Sequence, residues 1–305
     1  MPRFRSILLH ACPGPGAEAA LRRTIDLARR HGAAVRVVDV IVPPPVYARP
    51  FLTDDIKAVV EEHRTRHFEE TLDRFRREDV QATGEILRGR VSTEIVETVL
   101  RHKHDLVIRG DKGRVNDKPA VYGPSDIELL RECPCAVWMV RPESMAGYRR
   151  VVAAVDPDVP EEGEEGLNRR IVQAALDVAD LTEAEVLVVS TWAPFGESLL
   201  QPRMTEEEYA GWMAEVEGAA RSARDRVVES FGSRAARIER HLVKGEPAAA
   251  LVQFAVEHDA SLLVMGSVGR TGIRGLVMGN TAERALREVT CDVLVLKPEG
   301  FVPHR

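Results

Sequence analysis

The chain has 305 residues, 44% of them hydrophobic and 30% charged, with a net charge of −6 at pH 7. That length exceeds one typical domain and suits two. No apolar run approaches the ~20 residues of a membrane-spanning helix, and the acidic balance argues against nucleic acid as a general partner.

The first apolar strand, at 7–9, is reached too soon and is too brief for a signal peptide. Helical spacing follows at 24–30, and a second strand at 35–42 ends at Pro43. Thr53 opens a long polar helix to about Arg77; a third strand at 86–89 and a helix at 93–101 come next. A fourth apolar strand ends at Gly110 and enters a glycine-bearing loop, and the strand 136–140 closes this half. A short hinge at 143–147 leads into the same order again. Its strands are expected at 150–156, 186–193, 242–245, 262–265 and 292–296. The intervening helices are expected at 171–179, from the capping box Thr205 to Glu208 as far as about Phe231, and at 247–257 with Pro247 in the first turn.

The repeat is the decisive feature. Gly110, Gly113, Gly123 and Pro142 recur as Gly266, Gly269, Gly279 and Pro298 at one constant offset. Each half reads βαβαβαβαβ. The expected fold is therefore α/β with two tandem domains, 1–146 and 147–305, each a Rossmann-like five-stranded parallel sheet with helices on both faces. Ligands in such sheets bind beyond the carboxyl ends of the strands, at the switch point, where Asp156 and Gly266 would meet. Glycines let backbone N–H groups face an anion, and a helix N-terminus adds uncapped donors. Asn280, with Glu283 three residues on, is the expected N-cap of that helix. The first 146 residues carry 24 Lys/Arg against 22 Asp/Glu, the remainder 18 against 26. The better glycine loop lies in the acidic half, so an anion there must be held locally.

These runs resemble the universal stress protein family, whose nucleotide-binding members carry Gly-x-x-Gly-x9-Gly-Ser/Thr after strand 4. The stretch Gly266-Ser-Val-Gly-Arg-Thr-Gly-Ile, with Gly279-Asn-Thr-Ala-Glu, and the first-half Cys133-Pro-Cys-Ala-Val-Trp-Met-Val are similar to tandem-domain members of the E type. The resemblance implies a stress-response protein that binds ATP or a related adenine nucleotide without catalysis. It places Val155 and Asp156 beside the adenosine, the main chain of Thr191 at the adenine edge and Met265 against the nucleotide. Gly266, Val268, Gly269, Gly279, Asn280 and Thr281 fall on its phosphate-binding run. Asn280 stands where the motif has Ser or Thr, and still offers a cap and a donor. The first half departs further: Cys12 takes the aspartate position, Pro124 takes that of Asn280, and Asp111 and Asp117 add negative charge. That site is expected to be silent.

Two alternatives stand beside this reading, a scaffold or carrier of another phosphorylated or amphipathic ligand, and a weak ATPase. No His, Asp or Glu lies inside the second loop to act as a base. The cysteines Cys12, Cys133, Cys135 and Cys291 are too few for a disulfide framework, which favours a reducing cytoplasm, and they read as packing thiols without a metal site. His102 and His104 read as a solvated corner. Family members pair through the fifth strand, so an intramolecular pseudo-dimer is expected, with a homodimer of whole chains open as well.

Overall fold

Ile7, Leu8 and Leu9 are each at most 2% exposed, and burial of such side chains is worth about 1.5–3 kcal/mol apiece. They form the centre of β1 (Ser6–His10), the strand around which the first half assembles. The computed structural model describes residues 4–111, 114–115, 118–119, 122–156, 158, 166–267 and 279–302. One compact unit runs to Ala146 and a second from Gly147 to Phe301.

In the first unit β1 is followed by α1 (Ala17–His31), β2 (Ala34–Ile41), α2 (Asp54–Arg77), β3 (Ala82–Arg88) and α3 (Val91–His102). After these come β4 (Leu106–Gly110), α4 (Pro124–Glu132) and β5 (Ala136–Val140). The strands are parallel in the order β3-β2-β1-β4-β5, so the chain leaves β3 at one side and returns on the other side of β1. Ile7 pairs with Val35 on one flank and Leu106 on the other. The switch point therefore lies between β1 and β4.

The second unit repeats this with β6 (Arg150–Ala154), α5 (Leu167–Thr182), β7 (Glu185–Trp192), α6 (Glu206–Glu229), β8 (Ile238–Lys244) and α7 (Pro247–Glu257). It closes with β9 (Leu262–Gly266), α8 (Asn280–Glu288) and β10 (Asp292–Leu296). Its order, β8-β7-β6-β9-β10, is again parallel throughout. Both units are α/β with a parallel sheet, as expected.

Local chemistry explains the element ends. Thr53 caps α2 by accepting from Ile56 N–H, and Thr205 and Glu208 form the capping box of α6. Asp105, just before β4, accepts from Arg5 N–H at 2.7 Å and fixes the start of β1. Ser261 does the same before β9 for Arg149 and Arg150, at 3.0 and 3.1 Å. Two expectations need correction. The strands β3 and β8 begin four residues earlier than the apolar runs at 86 and 242, because Thr83, Gly84 and Glu85 in one and Glu239, Arg240 and His241 in the other interrupt the apolar signal after Ala82 and Ile238. His104 is no solvated corner: it is 8% exposed and its Nδ1 lies 2.8 Å from Ser6 Oγ. Burial holds its imidazole down at about 4.

Candidate functional site

Beyond the carboxyl ends of β6 and β9 the second unit opens a crevice. Val155 and Asp156 line it from the end of β6, Thr191 from β7, Met265 and Gly266 from β9, and Thr281 from α8. Six residues expected from the sequence thus converge from four elements. Leu167, Asn168 and Ile171 of α5 and Pro247 and Leu251 of α7 complete the walls. Asp156 is the one acid among the described lining residues. Asn168, unnoticed in the sequence, fixes it. Its Oδ1 accepts from Asp156 N–H at 2.9 Å and its Nδ2 donates to Asp156 C=O at 2.8 Å, from a position 4% exposed. The helix α5 starts Leu-Asn-Arg-Arg, and nothing in that polar run sets Asn168 apart. The Asp156 carboxylate in turn accepts from Asp158 N–H at 3.0 Å. A Cβ on Gly266 would come 2.8 Å from Leu167 Cδ2, so the absence of a side chain lets α5 approach the strand end.

The loop that follows is pinned at its neck. Ser267 N–H donates to Leu296 C=O and Gly279 N–H to Ser267 C=O, each at 2.9 Å, so the chain leaves and re-enters at one point. Val268 and Gly269 lie outside the described residues. Gly279 is the N-cap of α8 and Asn280 its first helical residue, which corrects the expectation that Asn280 caps the helix. Glycine takes the extended cap conformation without a side chain to compete, at φ −61° and ψ 146°. Glu283 N–H closes the first turn onto Gly279 C=O, so the N–H groups of Asn280, Thr281 and Ala282 have no intrahelical acceptor, at the helix end whose Thr281 and Ala282 line the crevice. Ser267 Oγ, in a residue 1% exposed, has no protein partner. These donors and the dipole of α8 suit an anion.

A profile described as the universal stress protein family matches residues 4–141 and again 147–297. The chain belongs to the universal stress protein family. Among curated relatives, the universal stress protein E of Photorhabdus laumondii is 24% identical over 313 aligned positions, covering 99% of this chain and 97% of that protein. The universal stress protein E of Escherichia coli K12 is 25% identical, covering 99% and 96%. The crystal structure of a putative universal stress protein from Pseudomonas aeruginosa UCBPP-PA14 has the same fold, with a TM-score of 0.71 at 22% identity, over 98% of this chain and 95% of that one.

The first domain of this universal stress protein builds the same place differently. Arg109 stands where the second has Met265, and Asp126 where it has Ala282; the two form an ion pair at 2.9 Å. Asp126 also accepts from Gly123 N–H at 2.9 Å, so a carboxylate of the chain covers that helix start. Asp39, the sixth residue of β2, pairs with Arg64, the eleventh of α2, and the Arg64 guanidinium also donates to Val40 C=O at 3.1 Å. Burial pushes the Asp39 carboxyl up and Arg64 pulls it down. The matching residues of β7 and α6 are Ser190 and Val216. Beside Thr191 the second unit has a hollow lined by Val216, Ala219, Ala220 and Ala223 where the first carries Arg64, His67, Phe68 and Thr71.

Backbone closes what remains. A Cβ on Gly110 would lie 2.5 Å from the main chain of Gly16, because α1 rests directly on the end of β4. His10, 2% exposed and with neither ring nitrogen hydrogen-bonded, sits at the end of β1. Burial, reinforced by Arg109 and Arg64, drives its pKa well down and keeps it neutral. The Arg109/Met265 and Asp126/Ala282 exchanges were readable from the repeat offset. The Arg64–Asp39 pair was not, because a strand and a helix residue had to be brought together first.

Proposed function

We propose that this universal stress protein holds ATP or a related adenine nucleotide in its second domain, 147–305, and none in its first, 1–146. The carrying observation is the convergence of Val155, Asp156, Thr191, Met265, Gly266 and Thr281 on one crevice that ends at the free N-terminus of α8. Asp156, fixed by Asn168, would accept from ribose hydroxyls. Thr191 main chain would meet the base edge and Met265 its face. The 268–278 loop and the N–H groups of Asn280, Thr281 and Ala282 would take the phosphates. In the first domain two ion pairs and Gly16 occupy the corresponding space.

The nucleotide is held rather than consumed in this reading. The described crevice residues include no Lys, Arg or His, and Asp156 is engaged by its own loop. Among the described residues no group of three His, Cys, Asp or Glu could hold a metal, and no helix is long and apolar enough to cross a membrane. The free thiols, two of them neighbours, favour a cytoplasmic site of action. Isothermal calorimetry with ATP tests the assignment. One nucleotide per chain is expected, with binding lost in Asp156→Ala and unchanged in Cys12→Ala. Two equivalent sites, or unaltered affinity in Asp156→Ala, would overturn it.

A further inference from the structure

Cys133 and Cys135 stand at the corner between α4 and β5, with their sulfurs 3.5 Å apart. Both are thiols. Cys133 ends α4, its N–H donating to Leu129 C=O at 2.9 Å, and its side chain is 0% exposed. Cys135, two residues on, is part-exposed. A disulfide needs the sulfurs ~2 Å apart, so the pair must close by about 1.5 Å, within reach of side-chain rotation where the backbone already bends.

The second domain shows that packing does not call for this pair. At the same corner it has Val289, Thr290 and Cys291. Val289 takes φ −66° and ψ 140°, against −62° and 127° for Cys133, and its N–H makes the equivalent bond to Ala285 C=O at 2.9 Å. The fold is thus satisfied by a valine in that place. A second sulfur in the first domain adds chemistry and not shape.

We propose that Cys133 and Cys135 form a dithiol that is reversibly oxidised to a disulfide by low-molecular-weight disulfides. Exposure divides the labour. The Cys135 thiolate attacks one sulfur of the oxidant RSSR, forming Cys135–S–S–R and releasing RS⁻. The Cys133 thiolate, shielded from solvent but next to that sulfur, then attacks Cys135 Sγ and expels the second RS⁻. The two thiol protons pass to the two RS⁻ groups, so the protein loses two electrons and two protons and RSSR becomes two RSH. Cys12, beyond the opposite ends of the strands, serves as the single-thiol control.

The test uses the whole chain in mixtures of reduced and oxidised glutathione, quenched with an alkylating agent and read by peptide mass spectrometry. The expected result is a peptide containing 133–135 that loses two hydrogens and escapes alkylation as the mixture becomes oxidising, and that recovers in excess reduced glutathione. Cys133→Val, which installs the residue the second domain uses, should instead stop at the mixed disulfide on Cys135. Cys135→Ser should leave Cys133 unmodified while the chain stays folded. Alkylation of both thiols at the most oxidising ratio would overturn the proposal. So would a stable mixed disulfide in the unaltered protein, or oxidation seen only after unfolding.

Discussion

Transplanting the first domain's ion pair into the second tests the account of why one crevice is filled and the other open. Ala282 is 4% exposed and Met265 likewise 4%, so Ala282→Asp alone puts a carboxylate into a buried place with no cation facing it. Leaving one member of a buried pair unmatched costs ~3–5 kcal/mol, and the start of α8 returns ~0.3–1 kcal/mol of that. A net loss of about 3 kcal/mol is expected. Met265→Arg with Ala282→Asp restores the partner that Arg109 supplies to Asp126 at 2.9 Å, so the double variant should come within about 1 kcal/mol of the parent. A coupling of ~2 kcal/mol or more then appears in the double-mutant cycle. Nucleotide affinity should nevertheless fall more than 100-fold in the double variant, about 3 kcal/mol, because the pair fills the crevice and covers the helix start. Urea melts of the whole chain give the first quantity and calorimetry the second. If Ala282→Asp is as stable as the double variant, or the double variant binds within tenfold of the parent, the reasoning fails.

Asn168→Ala removes two buried hydrogen bonds from the main chain of Asp156 and should cost about 2 kcal/mol of stability and roughly tenfold in affinity; unaltered binding in calorimetry would show that Asp156 needs no clamp. His104 has a folded pKa of about 4 against 6.5 when unfolded, so its contribution is present above pH 6.5 and is lost as pH falls toward 4. His104→Gln should flatten the stability profile across that window by up to ~3 kcal/mol, and an unchanged slope would contradict the burial argument. Burial raises the Asp177 carboxyl to about 6 from 3.8, which removes stability as pH rises through that range. Asp177→Asn should therefore stabilise the protein at pH 7 by about 1–2 kcal/mol, allowing for its contact with Arg234 at 3.7 Å, and should do little at pH 3.5, as calorimetric melts at both pH values would show.

The sequence by itself determined the order of elements, the duplication and the parallel sheets. Central strands carry continuous apolar runs, 7–9 and 262–265, closed by Pro13 and Gly266, and that signal is local. It named Asp156 and Gly266 because strand ends are carried to one place by the alternation of strand and helix, and the family resemblance of its motifs named Val155, Thr191, Met265 and Thr281 beside them. Partners distant in the chain were out of its reach. Asn168 clamps Asp156 from twelve residues away on a helix whose rotation about its axis only packing sets. Arg64 reaches Asp39 across twenty-five residues, and the approach of Gly16 to Gly110 depends on how closely α1 settles on β4. The early starts of β3 and β8 and the burial of His104 share that cause. A polar side chain carries no record of its surroundings in its own identity, so whether it is solvated, paired or entombed is decided by the neighbours that tertiary packing supplies.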